Sequence, residues 1–165
     1  MAGVAPGTSH WTMNDLAPAS KDAAAAAGAG ADSFRRAQNP ADADTVARVR
    51  ADFGGWLARH CPPAVTLHHD VLLAVNEALA NAAEHAYPGS SGIVDLLAHH
   101  DSARDALSVT VQDYGSWRPP TPTGSMRGRG LLLMRALADE AVVETSSHGT
   151  VVRLTWHDLH RRPAG

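Results

Sequence analysis

Cysteine is almost absent: Cys61 is the one thiol in 165 residues. A single cysteine excludes an intramolecular disulfide and fits a reducing compartment, and beside Pro62 and Pro63 it reads as a small buried apolar residue rather than a nucleophile. Long apolar runs are missing too. No stretch approaches the roughly eighteen residues needed to cross a bilayer, and the N-terminus has no charged segment followed by a hydrophobic one, so the expectation is a soluble, cytoplasmic chain with no membrane contact. Charge of one sign is not concentrated either. The formal net charge is -3, and the arginines are scattered along the sequence, which leaves no electrostatic footprint for direct contact with nucleic acid. What is present is 44% hydrophobic content, enough for one core and one domain.

The chain divides into a tail and a folding unit. Residues 1–32 are rich in Ala, Gly, Pro and Ser, with no apolar stripe to dock, and read as a flexible tail. Ser33 to Gln38 is a short edge strand. Asn39-Pro40-Ala41-Asp42 supplies turn and capping chemistry ahead of a first helix from Thr45 to His60, in which Val46, Val49, Phe53, Trp56 and Leu57 keep helical spacing. A second helix runs from Leu67 to about Ala86, and Tyr87-Pro88-Gly89-Ser90-Ser91-Gly92 stops it. Strands follow at Ile93–Ala98 and Leu107–Gln112 around a polar connection. The Pro- and Gly-containing stretch from Tyr114 to Arg127 is a surface loop. Leu131–Ala138 is helical, and Ala141–Thr145 with Thr150–Trp156 form a closing pair that turns at Ser147-His148-Gly149. Because strands and helices do not alternate strictly, the predicted fold class is α+β: a two-layer sandwich of one mixed, mostly antiparallel sheet covered on one face by three helices. The unit spans 33–158, and 159–165 is a C-terminal tail.

The second helix carries an unusual face. Glu77, Asn81, Glu84 and His85 fall at i, i+4, i+7 and i+8, while Leu72, Val75, Leu79 and Ala83 lie on the side that can bury against a sheet. A carboxylate and a carboxamide one turn apart on a well-supported helix converge on one point. Taken alone, they read first as a solvated helix face. Three further motifs change the balance. Asp113-Tyr114-Gly115 ends a strand, so that a carboxylate able to accept from an exocyclic amine stands next to a residue without Cβ that admits a flat ring; by itself the tripeptide is a strand-ending turn. Gly128-Arg129-Gly130 precedes the third helix, where unpaired N–H groups attract phosphate, a weak signal alone. Gly149-Thr150 starts the last strand, with a hydroxyl available to the purine edge that Asp113 addresses, and otherwise is a hairpin turn.

The ordered combination is specific. Ala74-Val75-Asn76-Glu77-Ala78-Leu79-Ala80-Asn81-Ala82-Ala83-Glu84-His85-Ala86-Tyr87, then Asp113-x-Gly115, Gly128-Arg129-Gly130-Leu131 with Leu137-Ala138-Asp139, and Gly149-Thr150 resemble the boxes of the GHKL (Bergerat-fold) ATPase superfamily, and within it the bacterial anti-sigma-factor serine kinases. The resemblance covers about Ser33 to Asp158. It implies ATP and Mg²⁺ as cofactors, with Asn81 as the metal ligand, Glu77 as the general base toward a protein serine, and Asp113 selecting adenine. Gly115 would admit the ring, Gly128 and Gly130 would cradle phosphate, Arg129 (or Arg127) would neutralise its charge, and Thr150 would assist at the purine edge. The implied partners are a sigma factor and an anti-sigma-factor antagonist, with homodimerisation usual among relatives. Sensor histidine kinases share the fold, but no helical segment carrying a phosphoacceptor His precedes the domain in this sequence.

One departure keeps two readings open. Trp117 stands where the superfamily pattern Asp-x-Gly-x-Gly has its second glycine. Glu77 and Asn81 together favour a kinase that doubles as an anti-sigma factor, whereas Trp117 favours a regulatory module that acts by association, with or without nucleotide. A metal-centred enzyme is the weakest reading: among the ten histidines, the pairs His68-His69 and His99-His100 are adjacent, so their side chains diverge.

Overall fold

Strand β1 (Ser33–Pro40) is followed by helices α1 (Ala43–His60) and α2 (Val65–His85), strands β2 (Ile93–Asp101) and β3 (Ala106–Asp113), helix α3 (Arg127–Leu137), and strands β4 (Glu140–Ser146) and β5 (Gly149–Trp156). These elements come from a computed structural model that describes residues 32–61, 64–115 and 127–161. Residues 1–31, which hold nearly all of the expected tail, and Trp117 with most of the expected loop lie outside the described residues. Element types and order agree with the sequence reading, with ends that differ by a few residues; α3 begins at Arg127 rather than Leu131, so Gly128, Arg129 and Gly130 lie within its first turn.

Two layers result. The strands form one sheet in the order β1-β2-β3-β5-β4. The sequence predicts a mixed, mostly antiparallel sheet; here all four pairings are antiparallel, because each neighbour is reached by a hairpin or by a helical excursion that returns in the opposite sense. Alternation along β3 sends Leu107, Val109, Val111 and Asp113 to the buried face, as period two requires. Asp113 thus takes the last inward position of a strand whose other inward residues are apolar.

The helices seal that face. Asp42 caps α1 by accepting from the Thr45 N–H at 2.8 Å, the contact that also holds its carboxyl below the usual range. Val46, Val49, Phe53, Trp56 and Leu57 are all buried, and Phe53 meets Phe34 of β1 edge-on at 5.5 Å. In α2 the buried stripe is Leu67, Val71, Ala74, Val75, Ala78, Leu79 and Ala82, so the helix is anchored on the side away from Glu77 and Asn81. Cys61 is buried, and burial pushes its thiol up to about 11.

The packed unit extends past residue 158. Leu159, expected in a tail, is fully buried in a short 3-10 turn, Leu159–Arg161. His160 holds the turn in place by donating its backbone N–H to Asp105 Oδ2 at 3.1 Å. An apolar residue after two polar ones has no periodicity in the sequence; the bonds of the Leu159 and His160 N–H groups to Asp105 in the β2–β3 connection fix its turn.

Candidate functional site

Two clusters line the C-terminal half of α2. The first is built by α2 and the start of α3. Glu77 and Asn81 project from α2 half-buried, and the backbone of Gly130 comes so near that a Cβ on it would lie 3.2 Å from both Glu77 Oε2 and Asn81 Nδ2. Gly130 is itself buried. Its backbone N–H is among the first four of α3, which have no partner within the helix. A carboxylate, a carboxamide and a helix N-terminus therefore converge, and the absence of one methyl is what lets the α3 backbone approach the two side chains this closely.

The second cluster forms where β3 ends. Asp113 is 8% exposed, and its Oδ1 accepts from the Gly115 N–H at 3.0 Å and the Thr150 N–H at 3.2 Å. The first bond closes an Asx turn. The second ties the turn to β5, whose register sets Val151 opposite Gln112. Two glycines permit this packing. A Cβ on Gly115 would sit 2.0 Å from the Ala86 carbonyl oxygen at the end of α2, and one on Gly149, whose φ is +123°, would sit 2.0 Å from the Asp113 carbonyl oxygen. Asn81 and Ala86 are five residues apart, about 7.5 Å of helical rise, so one elongated ligand can reach both clusters.

The structure thus brings Glu77, Asn81 and Gly130 together, and separately Asp113, Gly115 and Thr150. Thr150 contributes a backbone N–H to its cluster. Gly128 and Arg129 stand in the first turn of α3 beside Gly130. Glu84 and His85 are exposed. Tyr87, which closes the first box without a role of its own in the sequence, and Asp95, which no motif marks, also take part: the Tyr87 hydroxyl donates to the Ile93 carbonyl at 2.6 Å and accepts the Tyr114 N–H at 2.7 Å, and the Tyr114 hydroxyl donates to Asp95 Oδ2 at 2.8 Å. Burial and that carboxylate push the Tyr114 phenol up to about 12. In the sequence Tyr87 is the end of the first box and the start of a helix stop, and neither reading carries the hydroxyl's bonds to segments distant in the chain.

The donor set fits a magnesium nucleotide. A hard cation that keeps most of its water needs only one or two protein oxygens, which a lone carboxamide provides, and the space bounded by Gly130 is one that a side chain would fill. Among the described residues no group of three or more His, Cys, Asp or Glu is placed to hold a metal ion by itself. A separate recess of about 450 Å³, between Pro40–Asp42 and Gly89–Gly92, includes none of the cluster residues, and its one carboxylate, Asp42, is already engaged in capping α1. Among the described residues no helix is long and apolar enough to cross a membrane.

Comparison with known proteins agrees with this fold. Residues 39–156 match the family described as the histidine kinase-like ATPase domain. A crystal structure of the RsbU and RsbW domains of a Mycobacterium tuberculosis protein is similar at a TM-score of 0.60 and 24% identity, over 76% of this chain and 31% of that one. The histidine kinase domain of a blue-light-activated histidine kinase from Erythrobacter litoralis is similar at a TM-score of 0.51 and 24% identity, over 72% of this chain and 61% of that one. The match takes in less than two thirds of either of those chains, and at this identity the likeness is one of fold. The family match covers most of the sequence, and the chain belongs to the histidine kinase-like ATPase domain family of the GHKL superfamily.

Proposed function

We propose that the domain binds Mg-ATP along the C-terminal half of α2 and is a protein serine/threonine kinase that also acts as an anti-sigma factor. The observation that carries this reading is the approach of Gly130 to Glu77 and Asn81, since a carboxylate held next to a carboxamide has a use in phosphoryl transfer that simple binding does not require. Bound Mg-ATP would supply the phosphoryl group and a cation to offset its charge. Asn81 would hold the cation through its side-chain oxygen, and Asp113, oriented by the Gly115 and Thr150 N–H groups, would accept from the adenine amine. Gly128, Arg129 and Gly130 would receive phosphate at the start of α3. Glu77 would take the proton from the seryl hydroxyl of a protein substrate, an effect worth about 10²- to 10⁴-fold.

The partners in this reading are a sigma factor, which the protein sequesters, and an antagonist whose serine it phosphorylates, with a homodimer as the working assembly in the cytoplasm. Likeness in fold to the structure containing an RsbW domain supports the regulatory part. The alternative, regulation by association without efficient transfer, draws support from Trp117 at the second-glycine position.

Calorimetry with ATP, GTP and ADP, with and without Mg²⁺, tests the pocket before any partner is known; no binding of any nucleotide rejects the reading. Glu77→Gln then decides between the alternatives. The kinase requires that this variant bind ATP like the parent and lose transfer to a serine-bearing antagonist, whereas equal transfer by both proteins rules out Glu77 as the base.

A further inference from the structure

The β2–β3 ladder ends in an unusual way. It pairs Asp101 with Ala106 and proceeds without a shift to Val94 opposite Asp113, so one more step would set Ile93 opposite Tyr114. The Asp113 carbonyl faces β5, where it lies against Gly149. Because successive residues direct their backbone groups to opposite sides, Tyr114 turns its N–H toward β2, and a direct bond to the Ile93 carbonyl is what an antiparallel ladder would form there. The Tyr87 phenol occupies that place instead. It accepts the Tyr114 N–H at 2.7 Å and donates its own proton to the Ile93 carbonyl at 2.6 Å. Both backbone groups stay satisfied, yet the strands are held apart by the width of an oxygen.

A second observation shows that the neighbourhood is built around this ring. A Cβ on Gly92, immediately before β2, would fall 2.1 Å from Tyr87 Cε1, an overlap no side chain tolerates. Gly92 thus leaves the passage through which the phenol reaches the ladder from the end of α2. Beyond the insertion the chain turns back at once: Gly115 donates to Asp113 Oδ1 at 3.0 Å and rests against the Ala86 carbonyl. Tyr114, diverted from the ladder, places its hydroxyl on Asp95 Oδ2 at 2.8 Å.

We propose that Tyr87 is a positioning residue for base selection: its hydroxyl, inserted between Ile93 and Tyr114, ends the β2–β3 ladder at Asp113 and opens the turn that orients the Asp113 carboxylate toward the base. The proposal rests on the nucleotide reading above and adds to it the residue that shapes its adenine end. Removing the hydroxyl leaves the Tyr114 N–H and Ile93 carbonyl to close on one another, drawing Tyr114 toward β2 and the Asp113–Gly115 turn with it. Tyr87 touches no ligand atom in this scheme, and its effect passes through Asp113.

The test uses Tyr87→Phe and Gly92→Ala in the full chain. Two-dimensional NMR without nucleotide should show the Tyr114 amide resonance displaced and its hydrogen exchange changed in both variants, with far-UV circular dichroism like that of the parent. Calorimetry should show ATP bound about tenfold more weakly by Tyr87→Phe, the loss expected when one hydrogen-bond arrangement beside the base is disturbed, and GTP affected less, so that the ATP-to-GTP affinity ratio falls. An unmoved Tyr114 amide in Tyr87→Phe overturns the insertion whatever happens to binding. A parent that binds ATP, matched in affinity and ratio by Tyr87→Phe, overturns the selection role. If the parent binds no nucleotide, the functional reading has failed and the selection role fails with it, even where the amide still reports the inserted hydroxyl.

Discussion

Gly130→Ala should make the domain more stable and a poorer binder. Gly130 lies in the first turn of α3, where alanine is favoured over glycine by about 0.5–1 kcal/mol because it restricts the unfolded chain and suits the helix. For a domain of this size that corresponds to a rise in melting temperature of roughly 2–5 °C. The added methyl would meet Glu77 Oε2 and Asn81 Nδ2 at 3.2 Å each, inside the usual contact of about 3.5–4.0 Å. Both neighbours are the ends of flexible side chains, so they yield by a few tenths of an ångström at little cost to the fold. They cannot yield without leaving the point on which they converge. Disturbing one polar contact to the ligand costs about 1–1.5 kcal/mol, so a loss of about tenfold in Mg-ATP affinity is expected. Differential scanning calorimetry and titration calorimetry on the same preparation check both halves. Unchanged Mg-ATP affinity in a stabilised variant would refute the argument, because it would mean that the space beside Gly130 is not where the ligand sits.

Other substitutions probe the remaining contacts. Asn81→Ala should weaken Mg-ATP much more than ATP in EDTA, and equal affinities for parent and variant in both titrations would remove Asn81 as the metal ligand. Gly149→Ala combines a left-handed backbone with a 2.0 Å approach to the Asp113 carbonyl, so it should cost at least about 2 kcal/mol, seen as a lower urea midpoint; a neutral result would contradict the close packing of β5 on the Asp113 turn. Cys61, whose burial pushes its thiol up to about 11, should resist a thiol reagent at pH 8 until the protein unfolds. Rapid labelling of the folded chain would place that thiol at the surface.

The local parts of this protein were legible in the chain. Apolar spacing from Val46 to Leu57 marked α1, the Asp42 cap marked its start, and alternation from Leu107 to Val111 carried Asp113 to the inner face at the end of β3. Each of these depends on residues within a few turns of one another, and periodicity reports such relations directly. The same is true of Glu77 and Asn81, whose shared face follows from helical geometry once α2 is recognised.

What the tertiary structure alone decided is which distant segments meet. Helical spacing cannot place Gly130 against Glu77 and Asn81; that requires α3 to pack along α2, a contact across some fifty residues of chain whose partner is a glycine with no side chain to advertise it. Tyr87 is similar. Its place at the end of the first box and before Pro88-Gly89 says that a helix stops there, whereas its role comes from the register of β2 on β3 and from the room left by Gly92. Leu159, isolated among polar residues, is buried in a turn whose backbone N–H groups are hydrogen-bonded to Asp105 of the β2–β3 connection. Sequence determined the elements and the chemistry each one carries, since these rest on short-range sterics and burial patterns; long-range packing determined how those groups converge, because it depends on the strand pairing and packing of the whole domain.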